Sequence, residues 1–267
     1  MTPDLKRIGM GKIHPTAIVN SHAELGSNVE VGPYSVIGPK VKIGGGTKIK
    51  SHVVIEGNTT LGVENTIFQF ATIGSLPQDL KYQGEDSQLI IGSRNTVREF
   101  ASLNPGTIGG GMITRVGDQN LLMMYSHVAH DCIIGNHNIV ANGATLGGHV
   151  VVEDYAIVGG LVGIHQFVKV GTGAILGAGS MVSKDIPPYC NATGDRVRLR
   201  GLNIEGLKRK KFSKEQIDAL RKAYRIIFNS GLRTKQALEK VRSEGPLTPE
   251  VEHMVRFIES SQRGICR

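Results

Sequence analysis

The chain has 267 residues, of which 35 are glycine and only 5% aromatic, with no tryptophan. That excludes a core built on large rings and calls for one of small and branched aliphatics, which favours a stack of short strands over an ordinary α/β sheet. The net charge of +8 is lopsided, because residues 205–267 hold 15 Lys and Arg against 8 Asp and Glu. Such a basic tail suits nucleic acid, a membrane surface or an acidic protein, and the lack of stacking aromatics and of an RNA-binding signature makes nucleic acid the weakest of the three. Cys132, Cys190 and Cys266 have neither disulfide-like nor metal-ligand spacing, so a reducing compartment is expected. No apolar run reaches signal-peptide or membrane-span length, so a cytoplasmic protein without stable membrane insertion is expected.

A period of six opens the chain. Stepping by six from Ile13 gives Val19, Leu25, Val31, Ile37, Ile43, Ile49, Ile55, Leu61, Ile67 and Ile73. The period then breaks at residues 75–88, where Asp79 and Glu85 fall on aliphatic positions, and resumes unshifted at Ile91, Val97 and Leu103. A second break, residues 105–112, shifts the register by one. From Val116 the steps are Leu122, Val128, Ile134, Val140, Leu146, Val152, Val158, Ile164, Val170, Leu176 and Val182. With 40% hydrophobic residues, twelve such hits in a row arise by chance about twice in 100,000 trials.

A small or apolar residue mostly sits two places before each of these positions, and a glycine often follows. This is strand geometry with a corner every six residues, the glycines supplying turn angles. Three hexapeptides make one triangular coil of 18 residues, and coils stack at about 4.8 Å. A strict period of six excludes both amphipathic helices and βαβ units. The two interruptions read as loops leaving the prism, where binding residues concentrate.

The repeat is expected to end near Pro187–Pro188. Helix signals follow: a capping box at Ser213 and Gln216, an apolar stripe at Ile217, Leu220, Tyr224 and Ile227, and a stop at Gly231. A second helix is predicted over 234–243, and a third from Thr248–Pro249 bearing Met254, Val255 and Ile258. The division expected is a mainly β domain, a parallel β-helix over 1–190, and a C-terminal α-helical domain over 191–267. A cap is required because the last coil otherwise exposes a strand edge.

Four histidines fall in one part of the repeat. His127, His130, His149 and His165 lie near Val128, Leu146 and Ile164, positions 18 apart, so they share a face over three successive coils in a column spanning roughly 10 Å. His137 belongs to another face. Such a column could hold a metal, as three histidines do in γ-class carbonic anhydrases, or supply a base, with Asp131 supporting His130. It could also be a set of solvated corner residues on a purely structural β-helix.

The stretches QDLKY (Gln78–Tyr82), HVAHDC (His127–Cys132), GGHV (Gly147–Val150), IHQF (Ile164–Phe167) and NIEGLKR (Asn203–Arg209) together resemble the UDP-N-acetylglucosamine O-acyltransferase family of lipid A biosynthesis. The likeness runs from about His14 through the helical tail. It implies a left-handed coil and a homotrimer with sites between subunits. It also implies direct transfer of a 3-hydroxyacyl chain from acyl carrier protein to the glucosamine 3-position of UDP-N-acetylglucosamine or its 3-amino analogue. No bound cofactor or metal is implied; the acyl donor rides on the phosphopantetheine of acyl carrier protein, and the basic tail, Lys210 and Lys211 included, suits docking of that acidic partner. The roles implied are His130 as general base, Asp131 as its support and the Gly148 N–H as oxyanion donor. Asp79, Lys81, His127, His149, His165 and Gln166 are implied to bind sugar, phosphate and acyl groups, Asn203, Glu205 and Arg209 the nucleotide, and Ala178 to set acyl length. Many members carry Arg or His-Arg before the Gly-Thr of the second loop; here Asn104-Pro105 precede Gly106-Thr107, so a positive charge is missing.

Overall fold

The computed structural model describes residues 12–245 and 247–267; most of the N-terminal stretch in which no leader is expected lies outside them. Two-residue strands recur every six positions, and each pairs in parallel with the strand one coil further on, as in His127↔Thr145↔Gly163. Three sheets of nine, eight and ten strands result. Together they form the left-handed parallel β-helix. Each coil passes from the ten-stranded to the nine-stranded sheet at corner 1, on to the eight-stranded sheet at corner 2, and back at corner 3.

The hexad aliphatics fill the prism. From Val31 to Val182 every one is buried, whereas Ile13 in the first coil is 49% exposed. Among the described residues the coil that holds Ile13 has a neighbouring coil on one side only. Several polar residues inside the prism pair with backbone. At corner 3 the Oδ1 atoms of Asn65, Asn95 and Asn120 accept from the N–H of the asparagine one coil on, each at 2.8 Å. This ladder satisfies amides that the turn withdraws from the sheet.

The glycines that follow the aliphatics have a different cause from the one expected. Gly26, Gly44 and Gly159 are not in the left-handed region; a Cβ on them would meet the next coil's backbone at 2.6, 2.5 and 2.4 Å. They are required by close approach. The left-handed corner angles are carried mostly by larger residues, among them Tyr34, Phe70, Asp131, His149 and Phe167. Their side chains stack outside the prism: Tyr34, His52, Phe70, Phe100 and Tyr125 form a ladder at corner 1 with centroid spacings of 4.9–5.1 Å.

The prism continues past Pro187–Pro188. Cys190–Thr193 pairs in parallel with Ile175–Leu176, and Arg198–Leu202 pairs antiparallel with Cys190–Thr193. That strand runs across the expected 190/191 division. Hexad spacing is lost there, so the sequence carried no sign of the hairpin. Its antiparallel turn closes the ten-stranded sheet, and an Asp185↔Ile265 bridge from the chain's end covers the eight-stranded one.

Four helices follow: α1 (Ile204–Arg209), α2 (Lys214–Asn229), α3 (Thr234–Glu244) and α4 (Pro249–Glu259). The last three match expectation. Gln216 N donates to Ser213 Oγ at 3.2 Å and Ser213 N to Gln216 Oε1 at 2.8 Å, closing the predicted capping box. α1 is an addition, capped by Asn203 Oδ1 accepting from Gly206 N at 3.0 Å. The helices share a second core, in which Leu220, Ile227, Met254 and Val255 pack with Tyr189 and Cys190 from the prism's end. Glu153 of the prism ties the layers together. Its Oε2 accepts from Thr172 N at 2.7 Å, from Thr172 Oγ1 at 2.8 Å and from His253 Nε2 of α4 at 2.8 Å. Burial pushes the Glu153 carboxyl up, but the bonds from His253 and Thr172 outweigh it and hold it below the usual carboxylate range.

Candidate active site

Both loops, residues 74–87 and 104–112, leave the prism at corner 2 in successive coils. The next coils place His130–Asp131, Gly148–His149 and Gln166–Phe167 at that same corner. Asp131, His149 and Phe167 occupy equivalent left-handed positions, φ 60, 62 and 67°. The corner therefore carries an acid, an imidazole and a ring one above another, beneath two loops.

His130 is buried, and its Nδ1 lies 2.8 Å from Asp131 Oδ2. The Asp131 side chain is fully enclosed. Its Oδ1 accepts from Thr107 N at 2.9 Å and its Oδ2 from Thr107 Oγ1 at 2.6 Å. Nδ1 is thus the ring nitrogen that meets the carboxylate, and Nε2 is the one left open toward the corner. Nε2 faces Gly148, where an added Cβ would lie 2.6 Å away. Among the described residues the Gly148 N–H donates to no protein acceptor.

His149 meets the His130 ring edge-on at 5.2 Å and stacks on Phe167 at 4.3 Å. Burial pulls the His149 imidazole below its usual range, and the Asp131 charge opposes that. The Asp79 charge on the first loop opposes it as well, more weakly. His127 lies on the nine-stranded sheet with Nδ1 2.7 Å from Ser102 Oγ; burial, then the His130 charge, pulls it down as well. His165 and Gln166 are exposed one coil beyond. The four histidines thus share a region without converging on one point. The contacting column is Asp131, His149 and Phe167 with His130 alongside.

His130, Asp131 and His149 are the one group of three potential metal ligands within 4.8 Å among the described residues. The Asp131 oxygens are already taken by Thr107 and His130, so the arrangement fits a base and its orienting acid better than a metal cradle.

The first loop is tied to the second. Asn104 Nδ2 donates to Ser75 O at 2.8 Å and Leu76 O at 3.2 Å, and Ile108 N donates to Glu85 Oε1 at 3.2 Å. Asn104 is thus a clamp between the two loops. Lys81 is exposed, and its N–H donates to Asp79 Oδ1 at 3.0 Å.

The remaining expected residues lie elsewhere in this chain. Ala178 is exposed at corner 1, across the nine-stranded sheet from the histidines. Asn203 caps α1, and Glu205 and Arg209 lie within it; its Gly206 and Leu207 line a cavity with Tyr155 and Gly173 at corner 3. Lys210, an exposed residue, lies 3.0 Å over the Tyr155 ring, and partial burial pulls its ammonium down to about 8. A groove of ≈ 730 Å³ runs from Thr145, Gly163 and His165 past Met181 to Lys184, Arg196 and Arg198. Sequence reasoning missed Thr107 and Phe167. Phe167 was within reach, since it lies one 18-residue coil beyond His149.

The C-terminal part, residues 185–266, matches the family model for domain 2 of UDP-N-acetylglucosamine O-acyltransferase, and residues 113–148 match that for the bacterial transferase hexapeptide, six repeats. Acyl-[acyl-carrier-protein]–UDP-N-acetylglucosamine O-acyltransferase of Myxococcus xanthus is 52% identical, covering 97% of this chain and 100% of its own. The enzyme of that name from Thermodesulfovibrio yellowstonii is 50% identical over the same shares. The solved structure of LpxA from Acinetobacter baumannii is 48% identical, covers 96% of this chain and 99% of its own, and superposes with a TM-score of 0.93.

Proposed function

The chain belongs to the UDP-N-acetylglucosamine O-acyltransferase family, and from that premise we propose that it moves a 3-hydroxyacyl chain from acyl carrier protein to the glucosamine 3-oxygen of UDP-N-acetylglucosamine, the first step of lipid A biosynthesis. The observation that carries the mechanism is the buried His130–Asp131 pair at 2.8 Å beside an unengaged Gly148 N–H. His130 Nε2 takes the proton of the acceptor hydroxyl as its oxygen attacks the thioester carbon. The Gly148 N–H donates to the oxyanion that forms. The C–S bond then breaks, and the thiol of the carrier's phosphopantetheine leaves with the proton returned by His130. Asp131, hydrogen-bonded to Nδ1, stabilises the transient imidazolium.

The long groove from His165 to Lys184, Arg196 and Arg198 suits the donor: an apolar floor for the arm and a basic mouth for an acidic carrier. Asp79 and Lys81, on the first loop at the same corner, suit the sugar and its phosphates, with His127, His149, His165 and Gln166 lining the pocket. Asn203, Glu205, Arg209 and Ala178 sit at other corners of the chain. Their roles in nucleotide binding and acyl measurement therefore require a neighbouring subunit, and a homotrimer, which would bring different corners face to face, supplies one.

The test is His130→Ala, assayed with several acyl-carrier-protein thioesters and with both the hydroxyl and the amino sugar, products identified by mass spectrometry. Turnover is expected to fall about 10²-fold or more with the fold retained. Near wild-type turnover sinks the assignment of His130 as base, and absence of any acylated sugar from the wild-type enzyme sinks the activity.

A further inference from the structure

We propose that Thr107 is a positioning residue of the His130–Asp131 pair, holding the carboxylate that fixes the tautomer and direction of the base. The inference rests on the reading of His130 as the base. Asp131 is bonded by Thr107 on both oxygens, from N at 2.9 Å and Oγ1 at 2.6 Å, and both residues are buried. The Asp131 N–H donates to Thr114 Oγ1 at 2.7 Å, so backbone and side chain are both pinned from the second loop and the strand that follows it.

The loop is built around this contact. Val116 follows Leu103 by thirteen positions where the plain repeat steps by six. Thr107 has extended angles, φ −132° and ψ 163°, and caps the short 3-10 turn Ile108–Gly110. Its carbonyl accepts from Gly110 N at 3.1 Å and Met112 N at 2.9 Å. Gly110 lies so close that a Cβ would fall 2.3 Å from either Asp131 oxygen. The loop thus seals the carboxylate from water while supplying two donors to it.

The chemical consequence follows from where those donors land. An aspartate's last torsion is broad and two-fold, so it needs partners to choose an orientation. A buried carboxylate stays ionised only when bonded. Thr107 Oγ1 and His130 Nδ1 share Oδ2. Remove the hydroxyl, and Oδ2 turns its full charge on the imidazole, which then holds a proton more tightly, while the pair loses its fixed direction.

The experiment compares Thr107→Val, which keeps shape and N–H but loses the hydroxyl, with Thr107→Ser, which keeps the hydroxyl. Thr107→Ala serves the same comparison should the valine variant fail to fold. For Val, kcat is expected to fall about 10- to 100-fold with KM nearly unchanged, and the acidic limb of the kcat/KM profile to move to higher pH. Ser is expected to restore both the profile and most of the rate. In a His130→Ala background, Thr107→Val should cost nothing more. A wild-type rate and profile in Thr107→Val overturns the proposal, and so does a slower enzyme whose acidic limb has not moved and which Ser does not rescue. High activity in His130→Ala alone instead overturns the underlying reading of the base, which keeps the two failures apart.

Discussion

Gly148→Ala tests the site through a single methyl group. Gly148 is not in the left-handed region, so alanine fits the backbone there, and the N–H proposed for the oxyanion remains. The new Cβ would lie 2.5 Å from His130 Cε1 and 2.6 Å from Nε2. Carbon atoms settle at roughly 3.5 Å or more, so the ring must retreat by about 1 Å. It cannot do so freely, because Nδ1 is held 2.8 Å from Asp131 and Asp131 is held by Thr107. A 1 Å retreat either breaks the imidazole–carboxylate bond or tips Nε2 away from the acceptor hydroxyl. Misplacement of that size costs about 10²-fold in rate. Steady-state kinetics should show kcat falling by about that factor, with the melting temperature within a few degrees of wild type. Because the damage acts through His130, Gly148→Ala in a His130→Ala background should cost little more. A Gly148→Ala enzyme with near wild-type kcat, or a double mutant showing the product of both losses, would refute the reasoning.

The other predictions concern the scaffold and the groove. Glu153→Gln should weaken the junction of prism and helices by about 2 kcal/mol, the scale of charged hydrogen bonds. The folded carboxyl lies below its unfolded value of 4.5, so its contribution is complete above that pH and is lost as pH falls through the folded value. Melting curves should show the wild-type advantage at pH 7 shrinking on acidification, and a pH-independent gap would count against the assignment. Leu146→Ala, at a fully enclosed position, should cost about 2–5 kcal/mol in urea unfolding; a loss under 1 kcal/mol would contradict a dry prism. Reversing Arg196 and Arg198 to Glu should weaken acyl-carrier-protein binding about tenfold and flatten its salt dependence. If neither changes, the carrier docks elsewhere.

The prism was legible because its cause is one-dimensional. Each coil repeats one burial requirement, so stepping by six names the core from Val31 to Val182 and stepping by 18 assigns corners. That arithmetic separated His137, which stacks on Tyr155 at 4.7 Å on corner 3, from the histidines at corner 2. It could not assign a cause to the glycines, since close approach of a neighbouring coil and a left-handed turn leave the same letter in the sequence. It also stopped where the period stops. The hairpin of Cys190–Thr193 and Arg198–Leu202, the short helix α1 and the hold of Thr107 on Asp131 all come from segments outside the hexads, with geometry set by contacts between residues that no spacing rule relates. Asp131 illustrates the boundary. The repeat places it under His149, one coil of 18 residues away, but the proposed function depends on which of its oxygens faces His130. That is decided by a loop whose insertion makes it unreadable by period. A rigid repeat sets the distances between chemical groups, and the departures from the repeat supply the hydrogen bonds that orient them.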